Sequence, residues 1–345
     1  MKEPHATKLD FPRTRHLGRA RAHCRHLLRH VSRAQAREEQ RPAQGHLRAR
    51  LEGGSRVWRL LSGEGLGLYA ARGLDVDIRA GRPNTNVPQL LGAKAVELGI
   101  GSNSFTALNA AKAGIPAKAV LAVFQKDPQC LITHPRDDVN SIADMKGKPI
   151  MIADAVASTI WVWLKAKFGF TDGQVRKYTF NLAPFLADQS AIQQGYVTSE
   201  PYTIEKTTGV KPEVYLFADA GYPGYGSLVM ARKDVIEKEP AVVKAFVEAS
   251  IEGWRSYLNE DPTPGNKMIR ASNPEMTDDL LLAAIANMRA YRLLLADNAN
   301  PKSIGQMSDE RWREFFDTMS ALGMYQKSLD PKAAYTLDFL PPAGP

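Results

Sequence analysis

Residues 146–170 read KGKPIMIADAVASTIWVWLKAKFGF, and the order of side-chain types in this stretch points to the fold class. Lys148–Ile152 is a short apolar run that predicts a strand, and Ala153–Ala157 a loop of small residues. Ser158–Phe168 predicts a helix with Trp161, Leu164, Lys165 and Phe168 along one face. Small side chains in such a loop, Asp154 among them, let a ligand approach the backbone. Unpaired N–H groups at the helix entry, capped by Ser158 or Thr159, favour a polar or anionic ligand group. An ordinary connection between strand and helix has the same appearance and binds nothing.

The same alternation runs outward in both directions. Toward the N-terminus, Gly63–Gly73 predicts the end of a helix stopped by Gly73, and Leu74–Arg79 a strand. Val87–Ala93 predicts a helix, Val96–Ile100 a strand, Ser102–Ala113 an Ala-rich helix, and Ala117–Phe124 and Gln129–Thr133 apolar strands. Toward the C-terminus, Thr171–Gln174 has the residues of a capping box. Lys177–Phe180 predicts a strand, Leu186–Gln194 a helix stopped by Gly195, Tyr196–Thr198 a short strand, and Lys211–Ala218 another. GYPGYG at Gly221–Gly226 predicts a turn or crossing, and Leu228–Arg232 a strand. The pattern is then helical over Val242–Asn259, Asp278–Leu295 and Asp309–Leu322. Alternating strands and helices predict an α/β fold with a mostly parallel sheet.

At 345 residues the chain exceeds what one core usually supports, so two lobes are expected. The net charge of +8 is unevenly placed. Residues 1–60 hold 15 Lys and Arg against 5 Asp and Glu, leaving 30 against 32 for the remainder. The remainder therefore offers no basic stripe, and the composition predicts no nucleic-acid partner. Residues 1–56, rich in Arg, His, Ala and Gln, have the composition of a disordered basic arm, although Leu17–Val31 could form a basic helix. His23, Cys24, His26 and His30 lie at helical spacing, but no second ligand cluster completes a metal site. Cys130, inside an apolar run, reads as a small buried hydrophobe. No apolar run approaches the roughly 20 residues of a membrane span, and the first residues lack the apolar stretch of a signal peptide.

One pattern occurs twice. Leu90–Gly99 runs through helix, glycine and strand into Gly101-Ser102-Asn103-Ser104, and Ala191–Thr198 does the same into Ser199-Glu200-Pro201. Each predicts a buried strand delivering small polar residues to its carboxyl end, where α/β sheets bind ligands. Two such ends facing one another across a cleft make a site between lobes.

The segments GLYAARGLDVDI (67–78), LGAKAVELGIGSNSFTALNAAKAGIPAKAVLAVFQKDP (91–128), MKGKPIMIADA (145–155) and QQGYVTSEPYTIEK (193–206) resemble the NMT1/THI5-like solute-binding proteins of ABC importers, themselves similar to nitrate, sulfonate and taurine binding proteins. The resemblance covers roughly residues 66–340. It implies a periplasmic-binding-protein-like fold of type II, with two α/β lobes around a ligand cleft. Lobe one would take Val57–Met145 plus Ser227–Leu340, and lobe two Lys146–Gly226. It also implies a monomeric periplasmic receptor with no cofactor, which takes a small-molecule ligand and delivers it to an ABC transporter permease. Family members usually open with a strand ending in Asp-Trp-x-Pro, for which this chain has ARLEGGSRVWRLLSGEGL. A frameshift upstream of Gly67 would account for that missing strand, the missing export signal and the Arg/His bias. On that hypothesis residues 1–56 lie outside the fold, the receptor is impaired, and Ser55–Leu61 fills the gap. Translating the upstream DNA in the other two frames tests it.

Candidate ligand residues follow from these positions. Glu200, a carboxylate before proline at a predicted strand end, can accept from a ligand amine or aminopyrimidine edge or can be a hinge or surface carboxylate. Trp161, Tyr202, Tyr222 and Tyr225 can stack on a flat ring, or serve as core and crossing aromatics. Ser102, Asn103, Ser104, Ser158 and Thr159 can donate to carbonyl or anionic groups, or cap helices. A pyrimidine-like and a sulfonate-type ligand both remain open. The competing reading is an enzyme like the fungal family members, which make a thiamin pyrimidine precursor with an active-site His and a Cys-rich motif. Beyond residue 60 this chain has only His134 and Cys130 to offer, and neither lies in a loop resembling that motif, so no catalytic residue is expected.

Overall fold

The computed structural model describes residues 47–53, 61–80, 85–295 and 303–342. The ten strands among them are β1 Leu47–Gly53, β2 Leu74–Ala80, β3 Leu98–Asn103, β4 Ala117–Phe124, β5 Gln129–Thr133, β6 Ile150–Ile152, β7 Val175–Lys177, β8 Ile192–Tyr196, β9 Glu213–Leu216 and β10 Gly226–Arg232. They form two sheets of five, ordered β2-β1-β3-β10-β4 and β7-β6-β8-β5-β9. In the first, β1 runs parallel to β2 and β3, and β10 runs antiparallel to β3 and β4. In the second, β6 runs parallel to β7 and β8, and β5 runs antiparallel to β8 and β9. Each sheet is therefore mixed, because the strand that arrives by a crossing enters against the direction of its neighbours.

The crossings lie at Gln125–Pro128, between β4 and β5, and at residues 217–225, between β9 and β10. The first corrects the expected lobe boundary at Met145: Gln129–Thr133 pairs with β8 and β9 and belongs to the second sheet. Its five residues are buried on both faces, so the sequence alone could not say which sheet it joins.

The N-terminal boundary also moves. Leu47–Gly53, assigned from sequence to the disordered arm, is the second strand of the first sheet, in register Leu47 to Leu74 and Leu51 to Leu98. Its sequence LRARLEG alternates apolar and charged residues, the period of a strand. This segment takes the place of the strand thought to be missing. Residues 1–46, with Cys24 and the helix expected at Leu17–Val31, lie outside the described residues. So does the makeshift strand at Ser55–Leu61, apart from Leu61, which opens the helix Leu61–Gly65.

Several expected elements differ in kind. Ala153–Ala157 is not an open loop, since Asp154–Ala157 makes one helical turn before the helix Ile160–Phe168. Leu186–Gln194 is not a helix: a short helix at Ala183–Ala187 is followed by β8, whose five residues are all buried. Gly195 is thus no helix stop. It lies within β8, where a Cβ would come within 2.4 Å of Ile132 Cδ1. The capping box at Thr171–Gln174 is present, with both reciprocal bonds.

The long helix Pro240–Asn259 buries Val243, Phe246, Val247, Ser250, Ile251, Trp254, Tyr257 and Leu258, the stripe of an amphipathic helix. Its Phe246 stacks on Tyr69 at 5.1 Å, and the Tyr69 hydroxyl shares a 3.0 Å hydrogen bond with Ser250 Oγ. Gly253 lets this helix close on the backbone of Leu61–Gly65, since a Cβ there would lie 2.8 Å from Gly63 N. On the other side of the first sheet, Trp312 from the helix Asp309–Ala321 stacks on Tyr335 at 4.9 Å.

Arg311 joins the two crossings. Its guanidinium donates to Pro223 O at 3.0 Å and to Gly224 O at 3.4 Å in one crossing, and to Gln125 O in the other. It also lies over the Tyr225 ring at 4.3 Å. Ser104 pins the same crossing to the first lobe: its backbone N–H donates to Tyr225 O, and its Oγ accepts from Tyr225 N at 2.9 Å.

Candidate functional site

The carboxyl ends of β3 and β8 meet at one cavity. Asn103 at the end of β3 pairs with Gly226, where the second crossing enters the first sheet. Tyr196 at the end of β8 pairs with Gln129, where the first crossing enters the second sheet. Between these ends lies a cavity of about 430 Å³. Lobe one contributes Asn86, Ser102, Asn103, Phe105, Thr106 and Asn109, and lobe two contributes Gln129, Ala155, Val156, Ser158, Thr159 and Tyr196. The polar groups are hydroxyls and amides, and no Lys, Arg, His, Asp or Glu is among the described residues lining it.

Four of the sequence-predicted residues meet here: Ser102, Asn103, Ser158 and Thr159. Ser102 is exposed in a strand whose other five residues are buried, as a side chain turned to the cleft requires. Ser158 and Thr159 were expected to cap the following helix. Thr159 holds the N-cap position without a side-chain cap bond. Both hydroxyls instead donate backward to Ala155 O, at 3.3 and 2.7 Å, which leaves their lone pairs as acceptors.

The other candidates lie elsewhere. Ser104 is fully buried and bonded to Tyr225. Asp154 is highly exposed and faces Lys177 at 3.3 Å. Trp161 is buried against Phe170, and its indole N–H donates to Asp172 at 3.0 Å, so its ring has no open face for a ligand. Tyr222 packs among Phe105, Trp163 and Phe315, and burial pushes its phenol well up. Tyr225 accepts from Ser308 N at 3.0 Å beneath Arg311; its phenol is raised by burial, with Arg311 opposing. These aromatics are core residues because their apolar area is worth more inside than at a wet cleft.

Tyr202 belongs to a second cavity of about 320 Å³, between the helices Glu200–Thr208 and Asp278–Ala290. Its hydroxyl donates to Asp279 Oδ2 at 2.5 Å, and Lys206 pairs with the same carboxylate. Glu200 stands just behind the first cavity. Its Oε2 accepts from Tyr196 N at 3.0 Å and from Ser199 Oγ, and its charge, after burial, raises the pKa of the Tyr178 phenol. Glu200 thus holds the backbone of a cavity residue and is not itself in the lining.

Sequence reasoning missed Asn86, Thr106, Asn109, Gln129 and Tyr196. A signal existed for two of them: Thr106 and Asn109 are polar residues three apart inside an Ala-rich helix, so they share one face. Cys130 is fully buried, and burial, then the charges of Glu200 and Asp127, push its thiol well up. Iodoacetamide is expected to leave Cys130 unmodified in the native protein and to alkylate it only after denaturation, read by peptide mass spectrometry; native labelling would contradict this burial. Among the described residues no group of three His, Cys, Asp or Glu could hold a metal ion, and no helix is long and apolar enough to cross a membrane.

Two mixed five-stranded sheets, two crossings and a cavity at the facing strand ends define the periplasmic-binding-protein class of fold. The solved structures agree. The periplasmic aliphatic sulphonate binding protein SsuA of Escherichia coli matches with a TM-score of 0.66 at 12% identity, over 84% of this chain and 92% of its own. The alkanesulfonate-binding protein SsuA of Xanthomonas axonopodis pv. citri, solved bound to MOPS, matches with a TM-score of 0.61 at 15% identity, over 84% and 98%. Among curated proteins, the riboflavin-binding protein RibY of Chloroflexus aurantiacus is 22% identical over 294 residues, 80% of either chain. The family model described as NMT1/THI5 like matches residues 57–263, more than half of the chain. The chain belongs to the NMT1/THI5 like family.

Proposed function

We propose that this protein is the solute-binding component of an ABC importer, working in the periplasm, and that it captures a small uncharged heterocycle between its lobes. The observation that carries this reading is the lining of the interlobe cavity, hydroxyls and amides with no ionised side chain among the described residues. A sulfonate bound away from water needs cationic or multiple N–H donors to offset its lost hydration. A flat ring with alternating N–H and C=O edges is matched by amide and hydroxyl partners, with Phe105 and Val156 supplying apolar contact. The riboflavin-binding relative is consistent with this ligand class. The sulfonate-binding relatives support the fold and leave the ligand open.

The thiamin-pyrimidine enzyme reading has less support. His134 is buried, stacked on Phe185 at 4.2 Å and hydrogen bonded through Nε2 to Phe185 O at 2.8 Å, and it does not line the cavity. Cys130 is equally enclosed.

Calorimetric titration against riboflavin, a hydroxymethylpyrimidine and ethanesulfonate tests the proposal. One-to-one binding of a heterocycle with no heat from ethanesulfonate is expected, and the reverse pattern would overturn the ligand class. Each wall holds only part of the contact set, so saturating heterocycle is expected to draw the lobes together. A smaller radius of gyration by X-ray scattering checks this, and identical profiles with and without ligand would contradict closure.

A further inference from the structure

Asp127, in the first crossing, has no exposed surface. Its carboxylate accepts from one cavity amide of each lobe: Asn103 Nδ2 donates to Oδ2 at 3.2 Å, and Gln129 Nε2 to the same oxygen at 3.3 Å. The backbone N–H of Gln129 donates to Oδ1 at 3.0 Å. A carboxylate in this role only accepts, so the orientation of both amides is fixed by chemistry: each must turn its NH2 toward Asp127 and its carbonyl oxygen away.

The Gln129 branch continues inward. Gln129 Oε1 accepts from Gln194 Nε2 at 3.4 Å, and Gln194 Oε1 accepts from the backbone N–H of Ala153 at 3.0 Å. All of these groups are buried. The direction of every bond in this chain is set by its first member, since reversing one amide would set acceptor against acceptor or donor against donor. Ala153 precedes the turn Asp154–Ala157, which forms part of the lobe-two wall. One N–H of the Asn103 amide, one of the Gln129 amide and the peptide N–H of Ala153 are therefore engaged within the protein and not offered to an oxyanion. Asn103 Oδ1 is left on the cavity side, with no partner among the described residues.

We propose that Asp127 is the specificity-determining positioning residue of the cleft. Through the amides it orients, it presents the Asn103 carbonyl oxygen to the ligand as an acceptor, selecting an N–H group of an imide or amine edge over an oxyanion. This rests on the interlobe cavity being the ligand site proposed above and adds which atoms face the ligand and why.

The test uses Asp127→Asn, which keeps shape but supplies an NH2, and Gln194→Met, which keeps volume and releases Ala153 N–H. Riboflavin and ethanesulfonate are the probes, on the full chain. Asp127→Asn is expected to weaken riboflavin roughly ten- to a hundredfold and to admit ethanesulfonate. Gln194→Met is expected to admit ethanesulfonate as well, and it serves alone if Asp127→Asn does not fold. If wild type binds riboflavin and both variants keep its preference over ethanesulfonate, the inference falls while the cleft reading stands. If wild type binds no heterocycle, the ligand class proposed above falls. The inference is then decided without ligand by hydrogen exchange at the Asn103 and Gln129 side-chain amides. Slow exchange in wild type that quickens in the variants supports the anchored chain, and unchanged rates overturn it.

Discussion

Replacing Ser102 by tryptophan is expected to weaken ligand binding at least a hundredfold, about 2.8 kcal/mol, while leaving the fold intact. Ser102 is the exposed residue at the end of an otherwise buried strand, so its side chain displaces nothing in the core. An indole there enters the cavity of about 430 Å³ from the lobe-one side, toward Ser158 and Thr159. It takes the place of the ligand and blocks approach of the lobes. Stability should change by no more than about 0.5 kcal/mol, the usual range for exposed positions. Calorimetry and urea unfolding on one preparation separate the two effects, and an unchanged dissociation constant would place the ligand elsewhere.

The second large effect is on stability. Trp312→Ala is expected to cost about 3–5 kcal/mol. Trp312 is completely buried, lies parallel to the Tyr335 ring at 4.9 Å with 4° between planes, and meets Tyr225 at 5.8 Å. Its Nε1 makes no hydrogen bond among the described residues, so the loss is one of packing, and Trp312→Phe should restore a large part of it. The urea midpoint should fall without a change in slope. A loss under about 1 kcal/mol would mean that the site collapses around the deletion.

Local pattern made part of this fold readable. Ala117–Phe124 and Gln129–Thr133 begin and end where expected, because nearly every residue in them is buried and an apolar centre marks each one. Ser102 and Asn103 were legible as cleft residues because small polar side chains closing an apolar strand have little other reason to be there. The AIQQGY segment was misread because its glutamines look like a solvated helix face. They lie inside a buried strand, and the partners of Gln194 are Ala153 and Gln129, 41 and 65 residues away. Gln129 and Tyr196 were missed for a related reason: they become neighbours only when β5 pairs with β8. The basic composition of residues 1–60 likewise hid the strand period of LRARLEG.

Arg311 has a mechanical consequence. Two chains joining two rigid bodies allow both bending and twisting, since each chain can rotate about its own bonds. One planar guanidinium that holds Gln125 in one chain and Pro223 and Gly224 in the other makes the pair behave as a single flat strap. Shear between the chains would break these bonds, whereas flexing both together preserves them. These bonds therefore favour a common bend of both chains over shear between them.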